Sequence, residues 1–270
     1  MRYTCAMRLT ITGFLLTAIA TSYAQPTSQD PGSLRFEVAA IKPSPPDARG
    51  GMARPDPGGL RYRGTNLTLS LYIAACYRVR TEQIEGAPGW VDSDRFDILA
   101  NAAKQSSVEQ MYLMLRNLLK DRCHLQFHLE SREMPIYALT VDPAGPKMTR
   151  HDAGNGGDVW IEQGSEAPLH AKWTATSASM EVFAVRLARV LDRPVIDQTG
   201  LAGDYDFTLK YTFDPPPNFL PDALINGQPI DTSGPRIFQA VRQQLGLRLE
   251  PRKGAAPILV IDHIEKPSEN

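Results

Sequence analysis

Two histidines and a handful of carboxylates are the residues in this chain whose types and spacing first suggest chemistry. His124 and His128 stand four residues apart, the spacing that puts two imidazoles on one face of a helix within reach of one metal ion. Here, however, Leu125, Phe127 and Leu129 alternate with His124, Gln126, His128 and Glu130, the pattern of a strand with one wet face. On a strand, positions four apart are separated by about 13 Å at ~3.3 Å per residue, too far to share a metal. His128 and Glu130 point the same way and could share a ligand. The plainer reading is a solvated face on which Glu130 pairs weakly with Arg132. No other His or Cys group has ligand spacing, so neither a metal nor a cofactor is expected.

Asp92, Asp94 and Asp97 follow Trp90, and Asp204 and Asp206 lie far downstream. Glycoside hydrolysis needs two carboxyls facing each other across a cleft, which spacing alone does not establish. Asp97 and Asp206 occupy matching places in two echoing segments, which favours a shared turn-and-strand contact over catalysis. Asp92-Ser93-Asp94 reads as an Asx-type turn. No Gly-x-Ser-x-Gly elbow is present, and no catalytic residue is assigned. The glycine pairs Gly50-Gly51, Gly58-Gly59 and Gly156-Gly157 lack the strand-to-helix setting of a phosphate cradle. Asn66-Leu67-Thr68 matches a glycosylation sequon and is read as part of a helix start. Trp90, Trp160 and Trp173 are aromatic rings that could stack on a ligand. The ligand-binding candidates are therefore Trp90, Asp97, His128, Glu130 and Asp206.

The elements that must position these residues read as two sets by their pattern: Arg95-Phe96-Asp97-Ile98 echoes Asp204-Tyr205-Asp206-Phe207, and Pro135-Ile136-Tyr137-Ala138-Leu139 echoes Pro257-Ile258-Leu259-Val260-Ile261. The predicted fold is α+β, a tandem duplication of two small helix-and-sheet units, each ordered strand, helix, strand, strand, helix, strand, strand. The first unit spans residues 34–148, a linker 149–168, and the second unit 169–268. In the first unit, residues 42–59 read as a long loop, Thr68 caps a helix, and Ser107-Val108-Glu109-Gln110 is a capping box before a stripe of Met111, Met114, Leu115, Leu118 and Leu119. Pro135 begins a second terminal strand. In the second unit, Ser177 or Ser179 caps a helix, Pro235 sits in the first turn of another, and Gly246 stops it.

Arg2 and Arg8, the apolar stretch 9–20 and the small residues of Ser22-Tyr23-Ala24 form an export signal cleaved after Ala24. Residues 25–33 are a flexible lead. With 42% hydrophobic residues, a net charge of −1 and a pI near 6.5, the mature chain is an ordinary globular protein without a basic footprint for nucleic acid. No later apolar run reaches spanning length, so no membrane insertion is expected after cleavage. Cys5 leaves with the signal. Cys76 and Cys123 remain, in a compartment that permits a disulfide, and read as two buried thiols.

The order of elements resembles the short N-terminal domain of secretins and TonB-dependent receptors, which implies a docking role in the envelope. A second resemblance covers nearly the whole mature chain: Phe36-Glu37-Val38-Ala39-Ala40-Ile41-Lys42-Pro43, Trp90-Val91-Asp92-Ser93-Asp94-Arg95-Phe96-Asp97-Ile98, Arg193-Pro194-Val195-Ile196-Asp197-Gln198-Thr199-Gly200 and Val260-Ile261-Asp262-His263-Ile264-Glu265-Lys266-Pro267 are similar to the soil-associated protein family of secreted bacterial proteins. That family carries no assigned activity or catalytic residues. The expected function is a secreted or periplasmic, non-catalytic interaction or sensory module that meets another envelope protein through its sheet edges. The alternatives are an envelope hydrolase acting on glycan or peptide, and a small-molecule carrier with its site between the repeats.

Overall fold

The computed structural model describes residues 31–56, 58–151, 160–215, 224–225 and 228–268. The segment expected to be an export signal, most of the expected lead and residues 152–159 of the expected 149–168 linker lie outside the described residues. In chain order the first half runs β1 (Val38–Pro43), β2 (Met52–Pro55), β3 (Arg61–Thr68), α1 (Leu69–Tyr77), β4 (Ile84–Glu85), α2 (Trp90–Ser93), β5 (Arg95–Asn101), α3 (Val108–Cys123) and β6 (Gln126–Val141). The second runs β7 (Thr149–Arg150), β8 (Trp160–Ala167), β9 (His170–Ser179), α4 (Met180–Ala188), β10 (Val195–Asp197), β11 (Asp204–Thr212), the small pair β12 (Leu224–Ile225) and β13 (Gln228–Pro229), α5 (Ile237–Leu245) and β14 (Leu247–His263). The α+β class is as the sequence predicts.

The strand order β1-β5-β3-β2 in the first half is matched by β7-β11-β9-β8 in the second, with every neighbour antiparallel. A third sheet, β10-β6-β14-β4, draws strands from both halves. Its centre is the antiparallel pair β6 and β14, in register from Gln126 opposite His263 to Val141 opposite Leu247. The short β10 lies parallel to β6 at Tyr137, Ala138 and Leu139, and the short β4 parallel to β14 at Leu259 and Val260.

The two terminal strands expected in each half are thus one long strand. The sequence reads as interrupted because Ser131, Arg132 and Glu133 in β6 and Pro251, Arg252 and Lys253 in β14 are exposed and polar. They cross a stretch where neither sheet face is covered, so polar residues that resemble a turn are simply solvated strand. At its ends each strand is buried, and in different cores. Leu125 and Phe127 pack into the first half's core, whereas Leu139 at the far end of β6 belongs to the second; β14 starts with Leu247 and Leu249 in the second and reaches Leu259 and Ile261 in the first. At about 25 cal/mol per Å² of apolar surface removed from water, this exchange ties each half to the other's interior.

Local sequence sets the helices. Ser107 Oγ accepts the Gln110 N–H at 3.2 Å and Gln110 Oε1 accepts the Ser107 N–H at 2.9 Å, completing the capping box of α3. All five residues of its predicted stripe are buried. Ser179, rather than Ser177, caps α4 by accepting from Val182 N–H at 3.3 Å. Thr68 stands at the N-cap of α1 but its hydroxyl meets Ser70 Oγ instead of a backbone amide. Pro235 precedes the N-cap Arg236 of α5 and so lies just outside the helix. The 42–59 loop hides β2, and Asp92-Ser93 lie in the short helix α2 where an Asx turn was expected.

Side chains also link the halves directly, Arg80 among them. The Arg80 guanidinium donates to the carbonyls of Ala188 and Leu191 at the C-terminal end of α4. Carbonyls at a helix C-terminus lack partners within the helix and carry the negative end of its dipole, so a partly buried cation there is favourable.

Candidate functional site

Asp97 on β5 and Asp206 on β11 do the same local work in separate sheets. Opposite each, the neighbouring strand carries a bulge, with Asn66 and Ser177 both at φ 51. That left-handed conformation turns the backbone N–H out of the ladder, and the aspartate takes it: Asn66 N–H donates to Asp97 Oδ1 and Ser177 N–H to Asp206 Oδ1, each at 2.8 Å. Asp97 also accepts from Ser44 Oγ at 2.6 Å, whereas Asp206 lies 2.9 Å from His151 Nδ1. The Ser177 amide, then His151, holds the Asp206 carboxyl below its ordinary range. Asn66 is buried, with its side-chain amide donating to the Gly50 and Ala48 carbonyls, so its sequon nitrogen is occupied within the fold.

Trp90 opens α2 and packs, half-buried, against the first core, with Lys266 Nζ 5.7 Å from its ring centroid and bound to Asp94 at 2.7 Å. Trp173 is fully buried. Trp160 opens β8, and its side chain lies outside what is described.

His128 and Glu130 are adjacent on the exposed face of the central sheet, in a file of alternating charge. His128 Nδ1 lies 2.9 Å from Asp262 and its Nε2 3.3 Å from Glu130; Arg132 then joins Glu130 at 2.7 Å to Glu85 at 2.8 Å. Hydrogen bonding to Asp262, then to Glu130, raises the His128 pKa, and Arg132 first, then His128, lowers that of Glu130. The file is consistent across the strands β6, β14 and β4, and each donor already faces an acceptor. His124, the αL cap of α3, is not on the strand at all. Among the described residues no group of three or more His, Cys, Asp or Glu is arranged to hold a metal.

The candidate carboxylates Asp97, Glu130 and Asp206 are therefore spread over three sheets, each committed to neighbours. Cys76 and Cys123 are free and fully buried, and loss of water pushes both thiols up to about 12, which removes them as nucleophiles near neutral pH.

The site that sequence reasoning missed is at the end of the central sheet. Asp142, directly after β6 and nearly buried, accepts Nε–H from Arg242 at 2.9 Å and from Arg248 at 2.7 Å, and N–H from Ala144 at 3.0 Å. The Ala144 amide, then the two guanidiniums, hold its carboxyl at about 2. Two hollows of about 340 and 470 Å³ open beside Arg242. Arg242 is in the last turn of α5 and Arg248 at the start of β14, each about a hundred positions from Asp142, so no local spacing could reveal the group. The only trace in sequence is the basic residue before the Gly246 stop.

Gly246 makes this corner possible. It caps α5 at φ 67, and a Cβ there would stand 2.1 Å from the Gly145 carbonyl oxygen. The chain after β6 thus folds directly against the helix end, which brings Asp142 to Arg242.

No helix among the described residues is long and apolar enough to cross a membrane. No curated protein and no solved structure matches the chain. A family described as "Protein of unknown function (DUF3738)" matches residues 70–264, from the second residue of α1 to just past β14, and so takes in the paired long strands, both bulge aspartates and the Asp142 corner. The chain belongs to the DUF3738 family.

Proposed function

We propose that this chain is an exported, non-catalytic interaction module of the bacterial cell envelope that receives an extended segment of a partner protein along the outer edge of β6. The observation that carries this reading is the uneven pairing of the central sheet. β6 and β14 pair with each other along their whole length, yet on the outer edge of β6 the described strands supply only the three residues of β10. Residues 126–136 of that edge have no strand beside them among the described residues. An open edge presents unpaired backbone donors and acceptors that another strand can complete. β10 shows that a strand seats there in parallel. β14 is interrupted by two prolines, Pro251 and Pro257, which cannot donate, whereas β6 carries only Pro135, which leaves 126–134 uninterrupted, so β6 is the better acceptor.

The commitment of Asp97 and Asp206 to backbone bulges supports a role without catalysis. The resemblance to the short N-terminal domain of secretins and TonB-dependent receptors, and to the soil-associated family, supports the envelope setting. The repeated strand order supports a tandem duplication as its origin. A photo-crosslinking residue at Ser131, in the middle of β6, should trap one discrete partner in living cells, while the same residue at Thr174 on β9 should not. Equal trapping from both positions, or none from Ser131, would overturn strand docking. Sequencing of the mature N-terminus should begin at Gln25; an uncleaved chain retained in the cytoplasm removes the envelope assignment.

A further inference from the structure

We propose that the corner formed by Asp142, Arg242 and Arg248 binds a small carboxylate ligand that carries an apolar group. This goes beyond strand docking and stands independently of it. A guanidinium offers five N–H donors in a planar fork that matches an oxyanion two at a time. Here Arg242 and Arg248 both address the same oxygen, Asp142 Oδ2, and each does so through Nε alone. Among the described residues the terminal Nη groups of both make no hydrogen bond. One carboxylate therefore fixes two guanidiniums in place and balances the charge of only one, leaving two forks aimed by a nearly buried anchor.

The surroundings add to the positive charge and supply an apolar wall. Lys147 lines the first hollow, with Nζ 2.9 Å from the Gln243 carbonyl. The second hollow is lined by Arg242 and Arg248 together with Phe238 and Leu249. Glu250 also lines it, and its carboxylate is held by Arg252. Phe238 packs near-perpendicular to Tyr137, with ring centroids 5.1 Å apart, and is 39% exposed, so part of the ring remains available to a ligand. The two volumes fall at the lower end of the range for small-ligand sites, ~300–1,000 Å³. An oxyanion held by the free forks beside Phe238 and Leu249 has the chemistry of an N-acylated apolar amino acid or the end of a short peptide.

The test titrates the intact chain at low salt with N-acetyl-leucine, N-acetyl-leucinamide and inorganic phosphate, followed by calorimetry. N-acetyl-leucine should bind at least about tenfold more tightly than the amide, which lacks the carboxylate, and more tightly than phosphate, which lacks the apolar group. Arg242→Lys keeps the charge but not the fork, and Phe238→Ala removes the wall; each should weaken N-acetyl-leucine about five- to tenfold. Both positions are partly exposed, so the variants should fold, and a thermal melt confirms it. Equal binding of acid and amide, phosphate binding as tight as N-acetyl-leucine, unchanged affinity in Arg242→Lys, or no binding to any of the three would overturn the proposal. None of these outcomes bears on crosslinking from Ser131, so the two readings fail separately.

Discussion

The two halves share a backbone order and differ in the polar chemistry set into it. In the first, Tyr72 on α1 reaches across to donate to the Phe96 carbonyl at 2.8 Å, and Gly64 on β3 must be glycine because a Cβ would stand 2.3 Å from the Tyr72 ring. At the corresponding places in the second half stand Phe183 and Ala175, which need neither hydroxyl nor close approach. The ends of the central sheet differ more. At the first half's end, Glu265 sits between His124 at 3.2 Å and His263 at 2.9 Å; at the other, Asp142 sits between two arginines. A shared scaffold is thus held by interchangeable packing, and specific chemistry sits where the halves diverge.

The largest effect that can test this is in the cores. Trp173 on β9 and Tyr62 on β3 stand at matching positions, both fully buried, and among the described residues neither Trp173 Nε1 nor Tyr62 Oη has a hydrogen-bond partner. If packing rather than polar chemistry matters there, Trp173→Ala should cost about 3–5 kcal/mol through the cavity it leaves. Tyr62→Phe should cost nothing and raise stability by about 1 kcal/mol, because it deletes a buried hydroxyl whose lost hydration no partner replaces and keeps the ring. Urea unfolding measures both. A large loss in Tyr62→Phe would show that the hydroxyl has a buried partner, such as an ordered water, and would break the equivalence.

Next come the two αL caps that lead into the long strands, His124 at φ 48 and Gly246 at φ 67. Gly246→Ala should lose about 2 kcal/mol or more, since strain adds to a backbone clash with Gly145. His124→Gly should stay within about 0.5 kcal/mol of the parent, as relief of αL strain offsets added freedom in the unfolded chain. Similar losses at both caps in thermal melts would mean that the first corner is packed as tightly as the second.

The bulge aspartates should respond alike. Asp97→Ala and Asp206→Ala each leave a turned-out backbone N–H without its carboxylate and should cost on the order of 1 kcal/mol. The sharper readout is amide hydrogen exchange, in which Asn66 N–H and Ser177 N–H should lose protection in the respective variants only. An Asp206 variant with unaltered exchange at Ser177 would dissociate the two sites.

Much of this architecture was legible from local patterns. The Ser107 box, the Ser179 cap and the Gly246 stop each mark a helix end by backbone satisfaction, which depends on residues within a turn. The repeated Asp97 and Asp206 segments showed which strands correspond. The long strands were not legible, because exposure on both faces at Arg132 and Arg252 gives the composition of a turn. The Asp142 corner was hidden for a different reason: its three charges come together only when the second half's helix closes on the first half's last strand.

The smallest effect separates the two ends of the central sheet by pH. Hydrogen bonding to Asp262 raises the His128 pKa, so its contribution to stability is fully present below the ordinary imidazole value of about 6.5 and is lost as pH rises through the raised folded value. Asp142, held at about 2, behaves oppositely: its contribution is present above the unfolded carboxylate value of about 4 and is lost as pH falls toward the folded one. Melts across pH should therefore show a shallow decline on the alkaline side that His128→Gln removes. They should also show a decline on the acid side that Asp142→Asn reduces, with the lowered carboxyls of Glu130, Asp206 and Glu265 sustaining the remainder. Because His128 is exposed, its contribution should amount to about 2 °C or less and shrink in 1 M salt, where charges are screened within ~3 Å. Asp142 is nearly buried behind its arginines, so its arm should keep more of its size. If salt removes both arms equally, the Asp142 corner is no more enclosed than the open file on the sheet.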